Sequence, residues 1–171
     1  MNATANRAVS LARKLRAELP LRYLPPSEGT RPKSEMVLPH SFVKGTRGYI
    51  ERIAYQVNGC YEYGWYDACA VMMRRMMETL IIEVFERHNI SARIKNSSGD
   101  FFYLSDLISA TVSQTSWNLG RNAKQALPRM KALGDQSAHS RRFVAHREDV
   151  DKMQADFRVV VQELLFLAKL K

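Results

Sequence analysis

Long apolar runs, metal-binding patterns and nucleotide-binding loops are all missing from this sequence of 171 residues. No apolar stretch approaches the roughly 20 residues of a membrane span, and the N-terminus lacks the uninterrupted apolar core of a secretory signal. We therefore expect a cytoplasmic protein with no membrane partner. No phosphate loop, nucleophile elbow or dinucleotide fingerprint is present. Because no acidic cluster or His/Cys set occurs either, we expect neither a metal nor a cofactor.

Cysteine is also scarce, since Cys60 and Cys69 are the only two. Their separation of nine positions fits no metal-binding or redox pattern. Both lie in apolar segments with helical spacing. This context favours two buried thiols in a reducing cytosol over a disulfide.

Proline is concentrated in one region, because five of the six prolines lie at positions 20–39. Proline fixes φ and removes a backbone donor, so residues 20–40 are predicted to form a Pro-rich linker. Residues 1–19 precede it and are predicted to form a basic amphipathic helical arm. An Arg-rich, acid-poor start of this kind also resembles an organelle transit peptide. The folded domain is predicted to span residues 41–171.

Helical periodicity dominates this predicted domain, and no convincing strand alternation occurs. The sequence therefore predicts an all-α fold, an antiparallel bundle of four to five helices. The first helix is predicted over residues 46–63, with Gly64 closing it in a left-handed conformation. The second is predicted over residues 65–88. It carries a methionine-rich face, for which core packing is favoured over a cofactor or partner groove.

The remaining three helical segments are predicted from apolar patterns of unequal strength. Asp100 is predicted to cap the third helix. A segment over residues 118–133 is predicted to be kinked or split by Pro128 and ended by Gly134. The last helix has acidic residues near its start, and Lys169 and Lys171 lie at its other end, as the helix dipole favours.

The net charge of +9 is unevenly distributed. Residues 1–48 and residues 121–147 each carry an excess of six positive charges. Two basic segments of this kind suit a polyanion or an acidic protein partner. Solubility alone is the alternative explanation.

Residues 134–146 hold the most reactive combination of side chains. Asp135 and His139 are spaced i, i+4, so on a helix the carboxylate could fix the tautomer of the imidazole and raise its pKa. Arg141 and His146 form a second combination, in which the guanidinium stabilises phosphate charge and the histidine exchanges protons. Together these groups could cleave RNA without a metal. Arg74 and Glu78, also spaced i, i+4, are favoured as a structural ion pair over a pair that faces a ligand.

Three features extend this interpretation: the hairpin at residues 61–70 leading into Arg74-Arg75-x-x-Glu78, the segment at residues 130–139, and the long C-terminal amphipathic helix. Through them, residues 46–168 resemble the HEPN (higher eukaryote and prokaryote nucleotide-binding) superfamily. Residues 130–139 are most similar to the Gly-Asn-x-x-Ala-His signature of an uncharacterised bacterial branch. The resemblance implies an antiparallel helical bundle that often forms a homodimer. In its nuclease members, an Arg-x(4–6)-His motif from each protomer faces the other across a cleft.

This chain has Gly134-Asp135 where the nuclease members would place Arg-Asn. His139 is retained, and Lys131 or Arg141 would have to replace the missing arginine.

Two hypotheses follow. The first is binding of RNA or nucleotide phosphates, with or without metal-independent ribonuclease activity; its candidate catalytic residues are His139, Asp135, Arg141 and His146, and its candidate binding residues are Arg121, Lys124, Arg129, Lys131, Arg142 and Arg147. The alternative is a non-catalytic interaction or regulatory module, in which the methionine-rich face forms the dimer and the basic arm binds an acidic partner.

Overall fold

The computed structural model describes residues 3–18 and 35–171, and all the regular structure in them is helical. The predicted all-α fold is therefore confirmed. A 3-10 helix spans Ser91–Ile94, and an isolated bridge pairs Lys95 with Phe101. The α-helices of the described residues are α1 (Ala3–Glu18), α2 (His40–Val43), α3 (Gly48–Glu62), α4 (Tyr66–Arg87), α5 (Leu104–Ser113), α6 (Arg121–His139) and α7 (Arg147–Leu167).

The chain divides into two units, residues 1–30 and residues 31–171. In the first unit, α1 coincides with the helix predicted for the arm, and the side chains of residues 7–12 are exposed. Most of the predicted Pro-rich linker lies outside the described residues. None of the helices in residues 3–18 and 35–171 combines the length and apolar character that a membrane span needs.

Helix α4 is the centre of the second unit, since it packs against α3, α5, α6 and α7. Its buried residues occupy most of its circumference, and they include Met73, Met76 and Met77. The methionine-rich face is thus core packing, as the sequence favoured. Because these side chains are buried within a single chain, they are not available to form a dimer interface, as the alternative would require.

The helical segments predicted for the bundle of four to five helices overlap α3–α7, and the four-residue α2 was not predicted. Gly64 has a φ of +77° and closes the turn between α3 and α4, as predicted. The predicted cap on α5 is wrong. Asp100 is engaged instead with Asn96, whose Oδ1 accepts a hydrogen bond from the Asp100 backbone N at 2.9 Å, and α5 begins four residues later.

Helix α6 continues through Pro128 without splitting, which leaves the kink as the alternative of that prediction. It differs from its prediction at Gly134, where it does not end, and its last residue is His139. The reason at Gly134 is a close approach to α4. A Cβ atom at this position would lie 2.7 Å from Cβ of Arg74 and 3.2 Å from the carbonyl oxygen of Ala70. The glycine therefore serves helix packing rather than helix termination.

Both cysteines are free thiols, as predicted, with Cys69 buried and Cys60 half-buried. Cys69 Sγ donates to the carbonyl oxygen of Val57 at 3.4 Å. Burial, together with a smaller effect of the nearby Cys60, raises the pKa of Cys69 to about 12. Burial likewise raises the pKa of Cys60. Neither thiol is therefore primed to act as a thiolate at neutral pH.

Candidate functional site

The features on which the resemblance depends meet at one end of the helical unit. This end is formed by the turn at residues 61–66, the last turns of α6 and the start of α7. We call residues 61–66 the aromatic turn and residues 140–146, which join α6 to α7, the basic loop. Two hydrogen bonds link these segments through the helices next to them. The Ala145 backbone N of the basic loop donates to Asp67 Oδ1 in the first turn of α4 at 2.9 Å, and Arg147 Nε at the start of α7 donates to Tyr61 Oη of the aromatic turn at 3.0 Å.

Asp135 is held by two cations rather than by the imidazole that the sequence suggested. It accepts hydrogen bonds from Arg74 Nε at 2.8 Å and from Lys131 Nζ. Burial pushes the pKa of Asp135 up, but the hydrogen bonds and charges of Lys131 and Arg74 outweigh it, so the pKa lies below its ordinary value. Within residues 35–171, Asp135 has no hydrogen bond to His139. The carboxylate therefore ties α6 to α4.

The predicted pair of Arg74 and Glu78 is present, with Nη1 and Oε2 3.6 Å apart. The shorter contact of Arg74 is nevertheless the one to Asp135. Because Arg74 bridges two carboxylates, its guanidinium is committed to the interface between α4 and α6. This arrangement supports the structural interpretation that the sequence favoured.

His139 is the last residue of α6, and its side chain is exposed beside the basic loop. Arg141 and Arg142 follow it and are exposed too. In residues 35–171, neither arginine has a carboxylate partner. Three of the predicted site residues thus lie close together in the chain on an open surface.

Short hydrogen-bonded turns order the basic loop at both ends. At its start, Ser140 Oγ accepts hydrogen bonds from the backbone N of Phe143 at 3.1 Å and of Arg142 at 3.3 Å. At its end, the His146 backbone N donates to Asp149 Oδ2 at 2.9 Å, which closes the first turn of α7. The His146 side chain is exposed. The loop is therefore held at fixed points while its basic side chains face solvent.

The remaining candidate binding residues are separated from this end or already paired. Arg129 donates from Nη2 to Asp156 Oδ2 at 2.6 Å, and Lys131 binds Asp135. Arg121 and Lys124 lie toward the opposite end of α6, about 27 Å and about 22 Å from His139 at 1.5 Å rise per residue. The predicted basic patch along residues 121–147 is thus divided, and its unpaired part at this end is the basic loop.

Arg147, the first residue of α7, contacts Tyr61 of the aromatic turn. The guanidinium carbon of Arg147 lies 5.6 Å from the centre of the Tyr61 ring, within cation–π range. Tyr61 Oη donates to Asp151 Oδ1 at 2.5 Å. Burial raises the pKa of Tyr61, and the hydrogen bond to Asp151 raises it further against the opposing effect of Arg147. The phenol is therefore neutral at physiological pH and acts as a fixed donor.

The aromatic turn was not predicted as part of the site. Its rings are packed in pairs: Tyr63 stacks on Trp65 with ring centres 5.4 Å apart, and Tyr61 meets Tyr66 edge-on at 5.8 Å. The available signal was the run of aromatic residues around Gly64, which was used only for the resemblance. In the described residues, no group of three His, Cys, Asp or Glu side chains is arranged to hold a metal ion.

Comparisons with protein-family models, with curated proteins and with solved structures found no match to this chain. The resemblance to HEPN domains therefore stays a prediction from the motifs. What this end of the molecule does has to be argued from its own side chains.

Proposed function

We propose that the helical unit binds the phosphates of RNA or nucleotides at the basic loop. The observation that carries the proposal is the pair Arg141 and Arg142, both exposed and both without a carboxylate partner in residues 35–171. Guanidinium groups in this state are free to make bidentate hydrogen bonds to phosphate oxygens. His139 and His146 add donors on either side of them. The resemblance to HEPN domains points to the same ligand class.

Several carboxylates at this end of the unit are engaged by groups other than the two arginines. The neighbouring carboxylates of Asp67, Asp149 and Asp151 are engaged with the Ala145 backbone, the His146 backbone and Tyr61, respectively. They hold the loop in place without covering the two arginines. Basic side chains beside exposed aromatic rings are typical of surfaces that bind RNA.

The salt dependence of RNA binding tests this proposal. We expect the affinity for a single-stranded RNA to fall as salt rises, since phosphate contacts release counterions. Replacing both arginines (Arg141→Ala with Arg142→Ala) should weaken binding and reduce the slope of log K against log salt by about 1.4, at about 0.7 per contact.

The matched control is Arg121→Ala with Lys124→Ala, which removes the same charge from the far end of α6. This control should leave the slope nearly unchanged. An equal loss in both double variants would mean that net charge alone attracts RNA. Absent or salt-independent binding would contradict the proposal and favour the non-catalytic interaction module, either as a homodimer or bound to an acidic protein.

Metal-independent RNA cleavage is a second candidate function, favoured by the exposed His139 beside Arg141. In this reaction the imidazole accepts the proton of the ribose 2′-hydroxyl, whose oxygen attacks the adjacent phosphorus. The 5′-oxygen leaves with a proton from a second donor, for which His146 is the candidate, and a 2′,3′-cyclic phosphate forms. Arg141 would stabilise the charge on the phosphorus oxygens. Asp135 acts as a positioning residue only, because its carboxylate is bound to Arg74 and Lys131.

Cleavage of RNA in the presence of a chelator distinguishes the two functions. If His139 acts as the base, His139→Ala should lower the rate by about 10²- to 10⁴-fold, the usual contribution of general acid–base catalysis. Binding by the same variant, measured in the same salt, serves as the control for folding. Equal cleavage rates for the wild type and the variant would remove His139 from the mechanism and leave binding as the function.

A further inference from the structure

Trp65 has more exposed apolar surface than a site for phosphate alone requires. Its side chain is 48% exposed, although tryptophan is highly buried on average. The other tryptophan shows the usual arrangement: Trp117 is 9% exposed, and its Nε1 donates to the carbonyl oxygen of Thr111 at 3.3 Å. The chain thus buries one indole ring and presents the other to solvent.

The position of Trp65 is fixed by its backbone and by its neighbour. Its backbone N donates to the carbonyl oxygen of Cys60 at 2.8 Å, and its own carbonyl accepts from the Cys69 backbone N at 2.9 Å. Its ring stacks on Tyr63 at an interplanar angle of 27°. A ring held in this way loses little conformational entropy when a ligand packs on it.

The segment that contains Trp65 is hydrogen-bonded to the basic loop through Asp67. Trp65 is two residues before Asp67, whose carboxylate binds the Ala145 backbone at 2.9 Å. Arg141 is four residues from Ala145, and four extended residues span at most about 14 Å. A short oligonucleotide can therefore contact the ring and the guanidinium groups together.

We infer that Trp65 stacks on an unpaired base of single-stranded RNA whose phosphates are bound by Arg141 and Arg142. This inference rests on the proposed function and adds the substrate class. Aromatic side chains stack on any base that is splayed out of a helix. Duplex RNA keeps its bases stacked on one another, so its bases cannot reach the ring, and the duplex offers only its phosphates.

The test compares three probes in binding assays with the full chain: a ten-nucleotide oligoadenylate RNA, an abasic strand with the same number of phosphates, and a ten-base-pair RNA duplex. Trp65→Ala should weaken binding of the oligoadenylate by about 5- to 150-fold, the usual contribution of one stacked base, and leave abasic binding unchanged. Trp65→Phe should recover part of the loss. The matched control is Tyr103→Ala, which removes an aromatic side chain that is 85% exposed in the segment just before α5.

A spectroscopic readout removes any dependence on how well Trp65→Ala folds. The oligoadenylate should quench the tryptophan emission of the wild type, whereas the abasic strand should not. In Trp65→Phe, where Trp117 is the remaining tryptophan, the quenching should disappear.

The outcomes separate this inference from the proposed function. The inference is overturned if oligoadenylate and abasic strand bind equally tightly with the same salt dependence, or if Trp65→Ala weakens both to the same degree. Salt-dependent binding of the abasic strand would in either case leave phosphate binding intact. If none of the three probes binds, the proposed function fails and the inference fails with it.

Discussion

Helix α6 approaches α4 closely at Gly134, next to Asp135. Replacing it with alanine sets two effects against each other. Alanine favours a helix by about 0.5–1 kcal/mol over glycine, but the new Cβ would lie 2.7 Å from Cβ of Arg74 and 3.2 Å from a backbone carbonyl oxygen. Overpacking of this kind costs about 1–3 kcal/mol. Because a backbone atom is involved and cannot rotate away, we expect Gly134→Ala to lower the free energy of unfolding by about 1–2 kcal/mol in urea denaturation.

Gly48→Ala is the control for this prediction. Gly48 is the first residue of α3, and a Cβ atom there would meet nothing within 4 Å. Its replacement should leave the free energy of unfolding unchanged or raise it slightly. If both variants were stabilised, the approach of α4 to α6 would not depend on the missing side chain.

At the scale of helices, the sequence predicted best the elements whose apolar residues follow a strict period. Helix α4 was predicted at residues 65–88 and is observed at Tyr66–Arg87. Its start could be predicted because Gly64, just before it, adopts a positive φ, which is a local requirement of the turn. Helix α7 was also recognised from its period and from the charges at its two ends.

Helix α6 shows a feature that the local sequence alone cannot predict. Glycine ends many helices, so Gly134 was interpreted as a stop. Its actual role depends on Arg74 and Ala70, which are 60 or more residues away in the chain. No pattern within α6 reveals that its neighbour comes so close. The same limitation explains the cap that was wrongly assigned to Asp100, whose backbone is bound within its own loop.

The candidate site, too, could be predicted from the sequence only in part. The exposed residues His139, Arg141 and Arg142 could be found from their type and their closeness in sequence. Asp135 was paired with His139 because of its i, i+4 spacing, yet it is held by Lys131 and by Arg74 from another helix. The aromatic turn was missed because its link to the basic loop is tertiary. It depends on contacts of Asp67 with Ala145 and of Tyr61 with Arg147.

At the scale of the whole molecule, the core begins earlier than the predicted domain start at residue 41. Val37 and Leu38 are fully buried. Asn58, itself buried, accepts hydrogen bonds from the backbone N of Val37 at 3.2 Å and of Leu38 at 3.0 Å, and it donates to the carbonyl oxygen of Leu38 at 2.8 Å. Arg158 also donates from Nε to the carbonyl oxygen of Val37 at 3.0 Å. The segment before α2 is therefore part of the folded unit.

Two truncations test where this folded unit starts. A chain of residues 35–171 keeps both buried side chains and the contacts of Asn58, whereas residues 41–171 lose them. Burial of each apolar side chain contributes about 1.5–3 kcal/mol, and an unsatisfied buried amide costs about 1–3 kcal/mol. We therefore expect the shorter chain to be less stable in urea by at least about 3 kcal/mol, a large fraction of the 5–15 kcal/mol of a typical domain.

Asn58→Ala in the full chain separates the hydrogen bonds from the lost apolar burial. It removes the polar clamp but leaves Val37 and Leu38 in place, so it should cost about 1–3 kcal/mol and less than the truncation. If the two truncated chains were equally stable, the folded unit would start at residue 41, as predicted from the sequence. If Asn58→Ala instead lost as much stability as the shorter chain, the hydrogen bonds of Asn58 alone would hold this segment. Burial of Val37 and Leu38 would then depend on those hydrogen bonds.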